Sequence, residues 1–324
     1  ISVTGVQTCA LPIYMSDQPV SPQPEESHVI AERRAKLKAL REKGFGYPNK
    51  FDRDHFADDL HAFHDDTDRD TLDLNPVVVR VAGRIMLKRL MGKATFANIQ
   101  DMGGTIQLYL TDAYPGKAEH EEFKHYDIGD IVGVEGVLFK TQKGELTIRV
   151  KYVVLLTKAI RPLPEKFHGL TDQEIKYRQR YVDLICNEET RLNFVLRSRI
   201  IQAMRTLLLQ RRFLEVETPM MHPIPGGAAA RPFVTHHNAL DMQLFLRIAP
   251  ELYLKRLVVG GFEKIFEINR NFRNEGMSTR HNPEFTMIEL YVAYRDYRYM
   301  MVLIEEIFKD ITQAVFGVTE ITYQ

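Results

Sequence analysis

The sequence predicts an α+β protein in which a five-stranded β-barrel precedes a domain built on an antiparallel sheet. Between residues 76 and 157, five strand-like segments are separated by turn signals, of which Asp101-Met-Gly-Gly and Gln142-Lys-Gly are the clearest. Further along, residues 262–268 are strand-like, residues 269–284 form a charged loop and residues 285–294 alternate in polarity, which is typical of a β-hairpin. Amphipathic helices are predicted before and after that hairpin.

The predicted barrel strands are residues 77–88, 94–101, 105–111, 130–141 and 145–156. A short helical stretch, residues 117–126, lies between the third and fourth strands. Five strands with a helix in that position are the arrangement of an OB-fold barrel, and several such barrels bind nucleic acids. Other small barrels share parts of the arrangement, so the pattern alone leaves them open.

Strand phase places an aromatic ring on the polar face of this barrel. In the second strand Thr95, Ala97 and Ile99 take one face, which leaves Phe96 on the other. In the third strand the apolar positions face the core and Gln107 faces outward. OB-folds stack unpaired bases on such rings, worth about 1–3 kcal/mol per base. The alternative is an exposed phenylalanine at the barrel rim or in an interface.

The hairpin carries the second candidate site. Its return strand places Ile288 and Leu290 on a core face, and it places Glu289 and Tyr291 on the opposite face, about 7 Å apart. A half-buried carboxylate there needs a cationic or hydrogen-bonding partner, and a ligand with an ammonium group would supply one. Arg273, in the loop, is suited to a phosphate.

Besides a short helix with loops between residues 55 and 73, four helices are predicted outside the barrel and the hairpin. A basic helix over residues 27–43 either faces solvent or lies along an RNA backbone. A long amphipathic helix spans residues 189–212, and another spans residues 298–315. The fourth begins at Pro250, with Glu251 in its first turn, where a carboxylate either complements the helix dipole or binds a substrate ammonium.

Bulk properties exclude some classes of protein. The 324 residues contain 43 Lys+Arg and 43 Asp+Glu, so any nucleic-acid binding must come from local patches. Two cysteines without CxxC spacing indicate neither a disulfide framework nor a zinc site. No apolar run is long enough to span a membrane, so we expect a cytoplasmic protein.

Residues 1–14 are expected to be an artefactual leader before Met15, and residues 16–27 a disordered segment.

Four blocks of sequence resemble one enzyme family. FRNEGMSTRHNPEF followed by ELY resembles motif 2 of class II aminoacyl-tRNA synthetases, in the wording of the lysyl enzymes. GGAAARPF and APELYLKRL resemble lysine-binding segments of the same enzymes. GKATFANIQDMGGTIQLYL resembles the anticodon-binding strands of the lysyl, aspartyl and asparaginyl enzymes. The resemblance covers nearly everything from Glu25 to Tyr323.

The resemblance implies a division into domains. After the leader, residues 15–75 would hold the disordered segment and N-terminal helices, and residues 76–158 the OB-fold anticodon-binding domain. A hinge would span residues 159–185, and a class II catalytic domain residues 186–324. The helix over residues 189–212 and the strand after it would form motif 1 and a homodimer interface. No membrane partner is implied.

The resemblance also implies a role for each candidate residue. Arg273 would be catalytic, holding the α-phosphate of ATP. The ATP site would further contain Glu275, His281, Asn282 and Phe285; the lysine site Gly227, Glu251, Glu289 and Tyr291; and the anticodon site Phe96, Gln107, Arg84 and Glu145. No metal ligand is expected among these residues.

The implied function is the ATP-dependent attachment of L-lysine to lysine tRNA through a lysyl-adenylate. Family members continue past residue 324 to motif 3 and to the acidic residues that hold Mg²⁺, so the chain is expected to be a C-terminally truncated fragment that forms the adenylate poorly. Two alternatives stay open: an RNA-binding module without catalysis, and a lysyltransferase acting on a protein.

Overall fold

A computed structural model describes residues 27–164, 170, 172–278 and 280–320. The predicted leader and the predicted disordered segment before Ser27 lie outside the described residues. The chain divides between residues 171 and 172 into two compact units, which are treated separately below.

The N-terminal unit begins with three helices. They are α1 (His28–Glu42), α2 (Ala57–His64) and α3 (Arg69–Leu74). Ser27 caps α1, because its hydroxyl accepts a hydrogen bond from the backbone N–H of Ile30. Leu60 of α2 and Leu72 of α3 are buried in the barrel core. The sequence predicted only one short helix between residues 55 and 73.

The rest of this unit is a closed barrel. Its strands are β1 (Val78–Met91), β2 (Ala94–Gln100), β3 (Thr105–Thr111), β4 (Ile131–Lys140) and β5 (Leu146–Thr157), with α4 (Lys117–Lys124) between β3 and β4. The strands close in the order β1-β2-β3-β5-β4, in which only the β3–β5 pair is parallel. Alternate residues such as Ala97, Ile99 and Leu108 are buried in the core. This alternation turns Phe96 and Gln107 to the outer face.

The C-terminal unit begins with three helices followed by two small sheets. The helices are α5 (Gln173–Arg178), α6 (Arg180–Cys186) and α7 (Glu188–Gln210). The short strands β6 (Leu214–Glu215), β7 (Met221–His222), β8 (Val234–His237) and β9 (Met242–Leu246) follow, and then α8 (Glu251–Val259). Strands β7, β9 and β8 form one sheet. The pairing of β8 with β9 was not predicted from the sequence.

The hairpin forms the second sheet of this unit. Strand β10 (Lys264–Phe272) pairs antiparallel with β11 (Glu284–Val292) and parallel with β6, and α9 (Tyr297–Phe316) follows. Ile288, Leu290 and Val292 pack against a core of α7 and α9 side chains, on the face that the alternation predicted. Strand β10 continues to Phe272, so the prediction that residues 269–272 belong to the loop was wrong. The predicted α+β fold class is confirmed.

Candidate functional site

In the C-terminal unit, one face of the hairpin collects carboxylates. Glu267 on β10 lies directly opposite Glu289 on β11, and both face away from the α7–α9 core. Tyr291, two residues beyond Glu289, donates a hydrogen bond from its hydroxyl to Glu289 Oε2 at 3.1 Å. The predicted pairing of a phenol with an in-strand carboxylate is therefore present in the structure.

A third carboxylate comes from the first turn of α8. The backbone of Gly227 has a φ of +90°, and a Cβ added there would lie 2.9 Å from Glu251 Cβ and 3.1 Å from Ala249 Cβ. Only glycine tolerates both the left-handed φ and this close approach. Glu251 Oε1 lies 2.5 Å from Lys255 Nζ, one turn along the helix. The Gly227 loop therefore lies against the first turn of α8 at Glu251.

Electrostatics connect Glu251 with the hairpin. Burial raises the pKa of the Glu289 carboxyl above its ordinary value, and the negative charges of Glu251 and Glu267 raise it further. Burial and the neighbouring Glu289 carboxylate also raise the pKa of the Tyr291 phenol, so this hydroxyl remains a hydrogen-bond donor. A bound cation would offset the repulsion among these carboxylates, and the site is therefore suited to an ammonium group.

Beneath this face lies a buried ion pair that sequence reasoning missed. Arg247, directly after β9, is 0% exposed, and its Nη1 donates to Glu267 Oε1 at 2.7 Å. The same nitrogen lies 3.0 Å from Thr218 Oγ1, and Arg247 Nε donates to the carbonyl oxygen of Arg270 at 2.8 Å. Thr218 Oγ1 in turn donates to Glu267 Oε2 at 2.7 Å.

The hydrogen bonds among Arg247, Thr218 and Glu267 hold β10 in place next to Glu289 on β11. The available signal was that Arg247 and Glu267 both stand in apolar, strand-like surroundings, where a charge requires a partner. The sequence could not show that they are partners, because twenty residues and one helix separate them.

The predicted ATP residues lie at the loop end of the hairpin. The Arg273 guanidinium lies 5.1 Å from the centroid of the Phe285 ring, and its Nε is buried without a hydrogen-bond partner among the described residues. The structure thus brings together the residue predicted to bind phosphate and the residue predicted to stack on adenine. A planar guanidinium next to an aromatic ring suits a ligand that joins an anionic group to a flat base.

The other predicted ATP residues are less constrained. Glu275 is exposed, and its Oε1 accepts a hydrogen bond from the backbone N–H of Arg231 at 3.4 Å. His281 is also exposed, with its Nδ1 2.8 Å from Ser278 Oγ. Asn282 is half-buried. The contact with Arg231 ties the hairpin loop to the glycine-rich loop that contains Gly227.

In the barrel, Phe96 belongs to a row of outward-facing side chains. Its cross-strand partner on β3 is Tyr109, whose ring centroid lies 5.0 Å from that of Phe96. Tyr109 is paired in turn with Arg149 on β5, and its other neighbour is the Phe139 ring at 5.7 Å. Phe96 is therefore one member of an aromatic surface bordered by a cation, and such a surface is suited to stacking of unpaired bases.

The remaining predicted anticodon residues occupy different positions on the barrel. Gln107 is half-buried in the row next to Phe96. Glu145 is exposed in the turn before β5. Arg84 pairs with Gln100, about 13 Å along β2 from Phe96, and its Nη1 donates to the carbonyl oxygen of Gly129 at 2.7 Å. Arg89 is the β1 residue that lies across from Phe96, so the structure does not place Arg84 beside the ring.

The described ranges contain neither a cluster of metal ligands nor a membrane-spanning helix. Within them no three His, Cys, Asp or Glu side chains cluster as metal ligands would. Nor does any helix in the described part of the chain have the length and hydropathy needed to cross a membrane.

Comparison with protein-family models defines the class of protein. Residues 172–323 match a family described as tRNA synthetases class II (D, K and N), and residues 79–156 match one described as an OB-fold nucleic acid binding domain. The C-terminal unit therefore carries a class II tRNA synthetase domain, and the barrel is an OB-fold.

Several curated proteins similar to this chain are lysine–tRNA ligases. The chain is 63% identical over 310 residues to the lysine–tRNA ligase of Thiobacillus denitrificans. The aligned residues make up 96% of this chain and 62% of that protein. The lysine–tRNA ligase of Nitrosomonas europaea is 63% identical to this chain over 300 residues, which are 93% of the chain. The lysine–tRNA ligase of Idiomarina loihiensis is 60% identical over 311 residues, which are 96% of the chain. These matches confirm the resemblance to lysyl enzymes. The chain spans about three-fifths of the length of these relatives, 60% and 62% in the latter two.

Proposed function

We propose that this chain supplies the lysine-binding face, part of the ATP site and the anticodon-binding barrel of a lysine–tRNA ligase. The observation that carries the proposal is the cluster of Glu251, Glu289 and Tyr291 around the Gly227 loop. Lysine has two ammonium groups, and each buried cation needs an anionic partner. A site with two carboxylates on one side and the Arg273–Phe285 pair at the loop end is suited to lysine and ATP together.

The proposed reaction has two steps. An oxygen of the lysine carboxylate attacks the α-phosphorus of ATP, the bond to the bridging oxygen breaks, and pyrophosphate leaves. A hydroxyl at the 3′ end of lysine tRNA then attacks the carbonyl carbon of lysyl-adenylate and displaces AMP. No protein side chain acts as a nucleophile, so catalysis consists of positioning and charge stabilisation.

Arg273 is the residue that we assign to the phosphoryl step. Its guanidinium would bind the α-phosphate, where negative charge is concentrated during attack, while Phe285 stacks on adenine. Glu275, His281 and Asn282 would hold the remainder of ATP. Mg²⁺ supports phosphoryl chemistry in this family, but the described residues offer no cluster of ligands for it, so no metal position is assigned on this chain.

The barrel would bind the anticodon of lysine tRNA. We assign Phe96 to stacking on the central base and Gln107 to its polar edge, with Arg84 and Glu145 as further contacts. Exposed apolar residues on α7, including Leu192 at 59% exposure and Val195 at 38%, support a homodimer through this helix. An enzyme that charges tRNA for translation would act in the cytoplasm.

Binding of an anticodon stem-loop tests the barrel half of the proposal. Phe96→Ala should weaken binding of the lysine stem-loop by about tenfold, since loss of stacking costs about 1–3 kcal/mol per base. Tyr152→Ala is the matched control, because Tyr152 is also a half-exposed aromatic residue of the barrel but pairs with Glu135 on β4, away from Phe96. Equal effects of the two substitutions would contradict the assignment of Phe96.

The lysine half is tested separately by calorimetry on the same chain. If the chain binds the stem-loop and not lysine, it is an RNA-binding module without the proposed lysine site. If it binds lysine and not the stem-loop, the lysyltransferase acting on a protein becomes the better interpretation. Binding of both ligands is the result that the proposal expects.

A further inference from the structure

One buried amide of the hairpin has no hydrogen-bond partner among the described residues. Asn271 on β10 is 1% exposed, and neither its Oδ1 nor its Nδ2 is paired within that part of the chain. Leaving a buried polar group unpaired costs free energy, so nearly all such groups in proteins have a partner. This amide is therefore poised to bind a group that moves next to it.

Strand register places the amide beside two residues assigned to ATP. Asn271 is the direct partner of Phe285 on β11, at a Cβ–Cβ spacing of about 4.5–5.5 Å. Arg273 lies two residues further along, where its backbone N–H donates to the carbonyl oxygen of Pro283 at 2.8 Å, so its side chain leaves the same face. Its guanidinium lies 5.1 Å from the centroid of the Phe285 ring. The Arg273 side chain has therefore turned toward the register position of Asn271.

Arg273 can supply the donor that this amide lacks. Like Asn271 Oδ1, Arg273 Nε is buried and has no hydrogen-bond partner in the described ranges. The N–H of a guanidinium only donates and the oxygen of an amide only accepts, so the two atoms are complementary. With its Nε–H bound to the amide oxygen, the guanidinium still presents both Nη groups in a planar fork that matches two oxygens of a phosphate.

A second buried donor, Arg247 Nη2, also lacks a partner among the described residues. Arg247 is already held in place, however, because its Nη1 donates to Glu267 and its Nε donates to the carbonyl oxygen of Arg270. A rotation that carried Nη2 to Asn271 would break these buried hydrogen bonds. Arg273 is half-buried and contacts an aromatic ring, so its rotation carries no such cost. Arg273 is therefore the favoured partner of the amide.

We propose that Asn271 is a positioning residue that accepts the Nε–H of Arg273 when ATP binds, and thereby orients the guanidinium toward the α-phosphate. One rotation of the Arg273 side chain then gives both buried atoms a partner. The two Nη groups are held by the strand through this hydrogen bond, which reduces the side-chain freedom lost when phosphate binds. Because ATP is taken as the ligand of this face, the inference rests on the proposed function.

Calorimetric titrations of the full chain with ATP and with adenosine separate phosphate binding from base binding. Adenosine shares the base and the ribose of ATP but has no phosphate, so the ratio of the two affinities reports on the phosphate contacts. Asn271→Leu keeps a side chain of similar size without the amide. In this variant the preference for ATP over adenosine should fall by about tenfold, the worth of one hydrogen bond to a charged group.

Asn269→Leu is the matched control for loss of an asparagine from this strand. Asn269 lies on the same face of β10, but it is about 13 Å along the strand from Arg273. Its Nδ2 donates to Glu267 Oε1 at 3.1 Å, so the substitution perturbs β10 without removing a partner of Arg273. The preference for ATP over adenosine should be unchanged in this variant. If Asn271→Leu likewise lowers both affinities in proportion and keeps the preference, Asn271 is merely structural and the proposal is wrong.

Two further variants keep the proposal testable if Asn271→Leu does not fold. Asn271→Ala also removes the amide but adds no bulk, and it should reduce the preference for ATP in the same way. Arg273→Lys keeps the positive charge but has no Nε–H for Asn271 to accept. Adding Asn271→Ala to Arg273→Lys should therefore lower the preference no further, whereas additive losses in the double variant would overturn the proposal.

Failure of the proposed function gives a different result from failure of the role of Asn271. If the unaltered chain binds ATP no more tightly than adenosine, or binds neither, the assignment of Arg273 to the phosphate is wrong and the role of Asn271 fails with it. If the unaltered chain prefers ATP and the variants that lack the amide retain that preference, only the role of Asn271 is wrong.

Discussion

Replacing Arg247 by methionine should destabilise the C-terminal unit far more than removal of an exposed cation would. Arg247 is 0% exposed and its partner Glu267 is 1% exposed, so Arg247→Met leaves a negative charge buried without its cation. Breaking a buried pair from one side costs about 3–5 kcal/mol. Methionine fills much of the same volume, which limits the contribution of a cavity.

The remaining hydrogen bonds of Glu267 determine where in the range of about 3–5 kcal/mol the loss of stability falls. After the substitution its carboxylate still accepts hydrogen bonds from Thr218 Oγ1 at 2.7 Å and from Asn269 Nδ2 at 3.1 Å. These contacts offset part of the loss, so we expect the lower end, about 3 kcal/mol.

Urea unfolding followed by circular dichroism measures this cost as a shift in midpoint at constant slope. Lys255→Met is the matched control, since Lys255 is 57% exposed in its pair with Glu251 and should cost less than about 1 kcal/mol. Adding Glu267→Gln to Arg247→Met should restore part of the stability, because the buried charge is then absent. A cost below about 1 kcal/mol for Arg247→Met, or no recovery in the double variant, would refute the account of this pair.

Three further predictions concern the lysine site. The pKa of the Glu289 carboxyl is raised, and only the ionised carboxylate pairs with an ammonium group. Lysine affinity measured by calorimetry should therefore fall as the pH is lowered from about 7 to about 5. A lysine affinity independent of pH would contradict this prediction. The raised pKa of the Glu289 carboxyl also means that its ionisation costs stability at neutral pH, so Glu289→Gln should raise the melting temperature while weakening lysine binding at least about tenfold. A lower melting temperature would count against burial and repulsion as the origin of the raised pKa. Gly227→Ala should impair lysine binding, because its Cβ would lie 2.9 Å from Glu251 Cβ. Gly261→Ala is the control: with a φ of +102° and nothing within 4 Å of the added Cβ, it should bear the same backbone strain and leave lysine affinity unchanged. Equal losses of lysine affinity in both variants would show that crowding at Glu251 is not the cause.

The alternation of apolar and polar residues predicted which face of each strand is buried. The alternation around Phe96 and Gln107 placed both on the outer face, because one side of each barrel strand must be buried. The hairpin phase placed Glu289 opposite the core for the same reason. Three of residues 269–272 are polar, which favours a loop, but in the structure cross-strand pairing with β11 continues through Phe272.

Contacts between distant segments could not be read from pattern. The pairing of Arg247 with Glu267 depends on how β9 ends beside β10, and the pairing of β8 with β9 depends on a loop between them. The bond between Thr147 and Gln107 depends on the parallel register of β3 and β5, which no periodicity specifies. In each case the sequence shows a residue type, and only the fold shows its partner.

The central claim, that the face of Glu251 and Glu289 binds lysine through its ammonium groups, is tested most directly by calorimetric comparison of L-lysine with L-norleucine. Norleucine keeps the α-amino group and the carbon chain but lacks the side-chain ammonium. The account predicts that the chain binds lysine at least about tenfold more tightly, since a carboxylate left without its cation disfavours norleucine. Equal affinity for the two amino acids, or a preference for norleucine, would contradict the claim.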